Sequence, residues 1–116
     1  MPSPVTHFEV LGANAEALQR FYGDAFGWQM QDVMGGSYYM ANPGDEKGIN
    51  GGVGSAQGGP GHVTFYVEVD DPSAALEKIA ELGGRTIQEP MDVPNGPTIA
   101  LFADPEGHVV GLVKGM

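Results

Sequence analysis

One order of features occurs twice in this chain: strand, helix cap, helix, glycine. It runs first from Val5 to Trp28 and again from Val63 to Arg85. A repeat of this kind constrains the fold more than any single residue, because each copy must bury the same face in the same way. The second copy is the clearer one. In His62 to Val69 the side chains alternate, with His62, Thr64, Tyr66 and Glu68 on one face and Val63, Phe65, Val67 and Val69 on the other. A period of two marks a strand with one apolar and one polar face. Asp71 offers a carboxylate to a helix N-terminus, and Pro72 sits at the first helical position, where its missing N–H costs nothing. Leu76, Ile79 and Gly83 share a helical face flanked by Ala75 and Leu82, and Gly83-Gly84 closes the helix. The strand's apolar face and the helix stripe are expected to bury against each other.

In the first copy, Thr6, Phe8 and Val10 face one way and His7, Glu9 and Leu11 the other. Asn14 is the cap, and Leu18, Phe21, Tyr22, Ala25 and Phe26 form the expected core-facing stripe. Gly27 ends this helix. Trp28 to Met34 and Ser37 to Ala41 read as a hairpin turning at Gly35-Gly36. Gly48 to Gly54 reads as a glycine-weakened strand, where another backbone or a ligand comes close. After the second helix come strands at Arg85 to Pro90, Thr98 to Ala103 and His108 to Val113, with a turn at Asp104-Pro105-Glu106-Gly107. The expected fold is α+β. Two βαβββ modules, residues 1–54 and 62–116, are joined by a glycine-rich linker, 55–61, within one domain. They are expected to form one curved, mostly antiparallel sheet, a cup with the helices on its outer face. His7, Glu9, Thr64, Tyr66 and Glu68 then line the cup.

Composition narrows the function. The 116 residues carry 5 Lys+Arg against 15 Asp+Glu, a formal charge of −10, so nucleic acid and anionic membranes are repelled. No apolar run approaches the roughly 20 residues that span a bilayer. MPSPVTHFEV has no basic-then-apolar pattern of a secretory signal, and a cytoplasmic protein is expected. The chain has no cysteine, which excludes disulfides, thiolate nucleophiles and zinc–sulfur sites. The glycine-rich segment lacks the GxxxxGK[ST] pattern of a phosphate loop.

The repeat, together with FYGDAFGW (21–28) and FADPEGHVVGLV (102–113), resembles the vicinal oxygen chelate superfamily. That superfamily includes glyoxalase I, bleomycin-resistance proteins, fosfomycin-resistance enzymes and extradiol dioxygenases. The resemblance implies the paired βαβββ cup and, in the enzymes, a divalent metal held by His and Glu of the inner strands. The first-strand ligand falls on His7. The first-half carboxylate falls near Asn50, Gly51 and Gly52, none of which is a carboxylate. The second-half ligand falls on His62 or, with the alignment anchored on Val69-Asp70, on Thr64. The last-strand carboxylate falls on Gly111. Two of the four usual ligands are therefore missing, and no bound metal is expected. A metal, were one present, would be Zn²⁺, Ni²⁺, Mn²⁺ or Fe²⁺ on His7 and His62.

Three functions are compatible with these residues. The first is a glyoxalase-type lyase or isomerase with an incomplete metal site, in which Glu9 is the catalytic base. The second is a metal-free protein that sequesters a drug or metabolite, since an acidic, aromatic-lined cup suits a cationic ligand. The third is a domain that uses the cup for assembly alone. The small-molecule cup is the expectation, with His7, Glu9, Asn50, His62, Thr64, Tyr66 and Glu68 as ligand-binding residues. A homodimer is expected, because open strand edges call for pairing. Trp28 and Tyr39 either wall the cup or fill core, and His108, following a turn, reads as a surface residue.

Overall fold

The Asn14 and Asp71 side chains start the two helices, as their positions require. The computed structural model describes residues 2–56, 59–94 and 96–114; residues 57 and 58 of the expected linker lie outside that range. Asn14 Oδ1 accepts from the Ala17 N–H at 3.0 Å and opens α1, Ala15–Phe26. Asp71 Oδ1 accepts from the Ala74 N–H at 3.2 Å and opens α2, Pro72–Glu81. Caps of this kind are worth about 1 kcal/mol each. Gly27, in the left-handed region at φ 74°, ends α1. The strands are β1 Val5–Gly12, β2 Gln29–Asp32, β3 Tyr38–Asn42, β4 Gly51–Ser55, β5 His62–Glu68, β6 Arg85–Asp92, β7 Thr98–Ala103 and β8 Val109–Lys114. The fold is thus α+β, with eight strands and two helices among the described residues, in the order βαβββ, βαβββ. Among the described residues no helix is long and apolar enough to cross a membrane.

The chain divides into two compact units, His7–Thr64 and Met1–Thr6 with Phe65–Met116. In the first unit the strands run in the order β2-β3-β4-β1. β2, β3 and β4 are antiparallel neighbours, while β1 joins β4 in parallel, with Glu9 opposite Gly52. The parallel pair makes this sheet mixed. Its apolar face holds Val10, Ala41 and Val53, packed by Phe8, Leu18, Tyr22, Trp28 and Met30. Trp28 stacks on Tyr22 with ring centroids 5.7 Å apart and leans on Phe8 and Phe26. Trp28 therefore fills core, and Tyr39, buried beside Val53 in the ladder, does the same. The expected α1 stripe is narrower than the spacing suggests: Phe21 and Phe26 are each 62% exposed. β2 stops at Asp32 because its carboxylate turns to accept from the Met34 and Gly36 N–H groups.

The second unit repeats the plan in the order β5-β8-β7-β6, with β5 and β8 parallel and the other pairs antiparallel. Leu76, Ala100 and Leu112 form its core with Val67, Val69, Ala75, Ile79 and Phe102. Two expectations are corrected here. The apolar face of β5 is not buried along its length, since Val63 is 72% and Phe65 43% exposed. Alternation fixes which residues share a face but not how far a helix covers it. α2 lies against β6, β7 and β8, and only the Val67–Val69 end of the β5 face reaches its core. Leu82, expected to flank the α2 stripe, is 70% exposed. The other correction is β6, which continues through Pro90 to Asp92. Proline cannot donate to a ladder, but β6 ends the strand order and its register shifts between Gln88 and Met91, so no bond is lost there.

Candidate functional site

His7 and Glu9 sit on β1 between residues of the core face, Phe8 and Val10, and so project to the other side of the sheet. A third side chain meets them there. The Tyr38 hydroxyl on β3 donates to Glu9 Oε2 at 2.9 Å and lies 3.3 Å from His7 Nε2. β3 and β1 are not neighbours; β4 lies between them, so their axes are about 9.5 Å apart. A tyrosine crosses that gap only if the intervening strand carries no side chain at the crossing point. Gly52 supplies the opening: a Cβ there would overlap the Tyr38 hydroxyl and ring carbon. Gly51, one residue earlier and so on the opposite face, is likewise filled by the Phe8 ring. The glycines that weaken β4 as a strand are the points where aromatic rings cross it.

The proton order follows from the partners. Tyr38 has one hydroxyl proton, and it is donated in the hydrogen bond to the Glu9 carboxylate. A hydrogen bond between the phenol oxygen and His7 Nε2 then requires the tautomer with the imidazole proton on that nitrogen. Burial holds the His7 pKa below its usual value of 6.5, and the Glu9 charge raises it by a smaller amount. The imidazole is therefore neutral at pH 7. No lysine or arginine stands on β1 to β4.

The other expected site residues are distributed as follows. Asn50 precedes β4 and, with Gln29, Met30, Gln31, Met40, Ala41 and Asn42, borders a shallow recess of the first unit. His62 is exposed at the start of β5, and Thr64 is buried. Tyr66 is 7% exposed, with its ring on Gly111, so that a Cβ at 111 would overlap it. Glu68 is half-buried and donates its backbone N–H to the Pro4 carbonyl at 2.8 Å. His108 is a surface residue, its Nδ1 2.9 Å from Asp104 Oδ2 in the β7–β8 turn. Tyr38 is the member of this cluster that sequence reasoning missed. Its signal was a tyrosine at the start of one strand and a run of glycines on the next.

Residues 5–112 match the sequence model of the Glyoxalase/Bleomycin resistance protein/Dioxygenase superfamily. The chain belongs to this superfamily. A glyoxylase-like domain-containing protein of Didymella fabae is 28% identical over 112 residues, covering 90% of this chain and 88% of that one. The provisional glyoxylase CFP32 of Mycobacterium bovis is 33% identical over 86 residues, 73% of this chain. The aligned part spans only 33% of that relative's length. Among solved structures, the Mn(II)-bound glyoxalase of Novosphingobium aromaticivorans superposes with a TM-score of 0.66 at 19% identity, over 97% of this chain and 40% of that one. At such identity the likeness is one of fold.

Members of the superfamily often bind a divalent metal, and the donor set here can be tested against one. Among the described residues no three His, Cys, Asp or Glu side chains converge on a point that would hold a metal ion. The family pattern gives one carboxylate to Gly111 and the other to the stretch Asn50, Gly51 and Gly52; a tyrosine ring lies over Gly111 and over Gly52. The residues present do not fit the metal.

Proposed function

We propose that this superfamily member binds a small organic molecule at the polar face of its first unit, around His7, Tyr38 and Glu9, and that it prefers neutral or cationic ligands. The observation that carries this is the Tyr38 hydroxyl held between Glu9 and His7 on a sheet face turned away from the core. Three polar side chains converging on one point are what a ligand site needs for orientation. The charge preference comes from a carboxylate, a neutral imidazole and the absence of any lysine or arginine on these strands. An anion taken out of water there would find no counter-charge, and burying unpaired charge is costly. Thr64 of the first unit and, separately, Tyr66 and Glu68 of the second, on the corresponding face of β5, are proposed as ligand contacts of their own units.

A glyoxalase-type lyase or isomerase is the second function, favoured by relatives that carry glyoxylase names. Glu9 is then the base that moves a proton, with Tyr38 and His7 orienting it. A homodimer accompanies either function. Its support is the exposed apolar side chains Phe21, Phe26, Val63, Phe65 and Leu82, and the unpaired outer edges of β2 and β6.

The experiment is a thermal-shift comparison of matched benzylammonium, benzyl alcohol and benzoate, repeated with Glu9→Gln and Tyr38→Phe. Stabilisation by the first two, reduced in both variants, is expected. Stabilisation by benzoate alone, unchanged in both variants, contradicts the proposal.

A further inference from the structure

The crossing of Tyr38 over Gly52 has a consequence for what this site excludes. Glu9 and Gly52 are direct partners in the parallel β1–β4 ladder, and His7 shares the face of Glu9. A carboxylate at position 52 would therefore stand beside His7 and Glu9 and complete a set of three oxygen and nitrogen donors. The Tyr38 phenol fills that space instead, and Tyr38 could not be there if residue 52 had any side chain. The second unit shows the same substitution independently. Tyr66 and Gly111 are direct partners of the β5–β8 ladder, and the ring covers the glycine. Replacement of the carboxylates by glycine alone would leave two empty positions, each open to water. What is present is a glycine and a tyrosine that require each other, once in each half of the repeat.

We propose that Tyr38 and Gly52 are a specificity-determining pair that makes this site metal-excluding: the glycine opens β4, and the phenol that crosses it takes the place of a metal-holding carboxylate. A hydrogen-bonding oxygen stands where a third ligand would. This deepens the binding function proposed above and concerns the same site. Its test reads metal and stability, not organic ligand, so the two proposals fail separately.

The test is equilibrium dialysis against Co²⁺, followed by the visible spectrum of the bound ion. The wild type, Tyr38→Ala, the double variant Tyr38→Ala/Gly52→Glu, and that double variant with His7→Ala are compared. The wild type and Tyr38→Ala are expected to retain no stoichiometric Co²⁺. The double variant is expected to retain roughly one ion per chain, lost again with His7→Ala. One Co²⁺ per wild-type chain, lost on His7→Ala, overturns the proposal. So does a double variant that is folded by circular dichroism and retains none.

A second measurement needs no metal and no charged substitution. Gly52→Ala is expected to lower the melting temperature of the wild type by about 4–8 °C, as overpacking by one methyl costs on the order of 1 kcal/mol. In the Tyr38→Ala background the same substitution is expected to cost little, because the ring it meets is gone. Equal penalties in the two backgrounds would show that the residues do not compete for space.

Discussion

The Tyr38 hydroxyl occupies the space that the Cβ of any residue other than glycine at position 52 would need. That relationship joins β3 to β1 across β4 and places three polar groups, from His7, Glu9 and Tyr38, at one point.

Removing the hydroxyl alone tests what holds this point together. Tyr38→Phe keeps the ring on Gly52 but takes the donor from the half-buried Glu9. A hydrogen bond to a charged group contributes about 1.5–3 kcal/mol, and partial exposure places the expected loss at the lower end. Urea denaturation checks it. An unchanged midpoint would show that Glu9 replaces its partner with water at no cost.

In the second unit, Gly111→Ala pushes a methyl into the ring of the buried Tyr66. Overpacking there is expected to cost about 1–3 kcal/mol. Leu76→Ala empties the centre of the same core, where Leu76 is 4% exposed, and is expected to cost about 2–5 kcal/mol. The ranking, Leu76→Ala at least as severe as Gly111→Ala, is read from one set of denaturation curves.

His7 gives stability a pH dependence whose sign is fixed. Its folded pKa lies below the ordinary 6.5, chiefly because burial disfavours the imidazolium. The unfolded chain therefore binds the proton more readily. Stability is fully present above about pH 6.5 and is lost as pH falls from there through the folded value. Asp104 is also depressed, mainly by the His108 N–H bonded to its carboxylate, but its ordinary value of 3.8 places its effect in stronger acid. Thermal melts between pH 7.5 and 5 are expected to decline in the wild type and to decline less in His7→Gln. Equal declines would assign the effect to other groups.

The helices, their caps and most strands were legible in the sequence because they rest on local rules. Asn14 and Asp71 cap where their side chains can reach the backbone, and Gly27 takes the left-handed turn expected of it. Placing His7 and Glu9 on the face opposite Phe8 needed only alternation. What alternation could not supply was reach. It does not say that α2 leaves Val63 and Phe65 exposed, because helix position is a tertiary matter. It also does not say that a tyrosine one strand over from a glycine will cross it. Tyr38 and Gly52 are 14 positions apart in sequence and not directly opposite in the ladder, where Met40 faces Gly52. Only the strand order brings Tyr38 to His7 and Glu9.

Light scattering at micromolar concentration tests the homodimer. About twice the 12.1 kDa of one chain is expected, and a mass near 12.1 kDa contradicts it. Phe21→Asp, on the exposed face of α1, locates the contact if it dissociates the dimer without lowering the melting temperature of the monomer.

The most direct measurement of the central claim is an NMR titration of the wild-type protein with benzylammonium, following the His7 imidazole and the Tyr38 ring resonances. Both are expected to shift together and saturably, with no divalent metal in the sample and with the response lost in Glu9→Gln. Saturable binding that moves other resonances and leaves His7 and Tyr38 in place would contradict it.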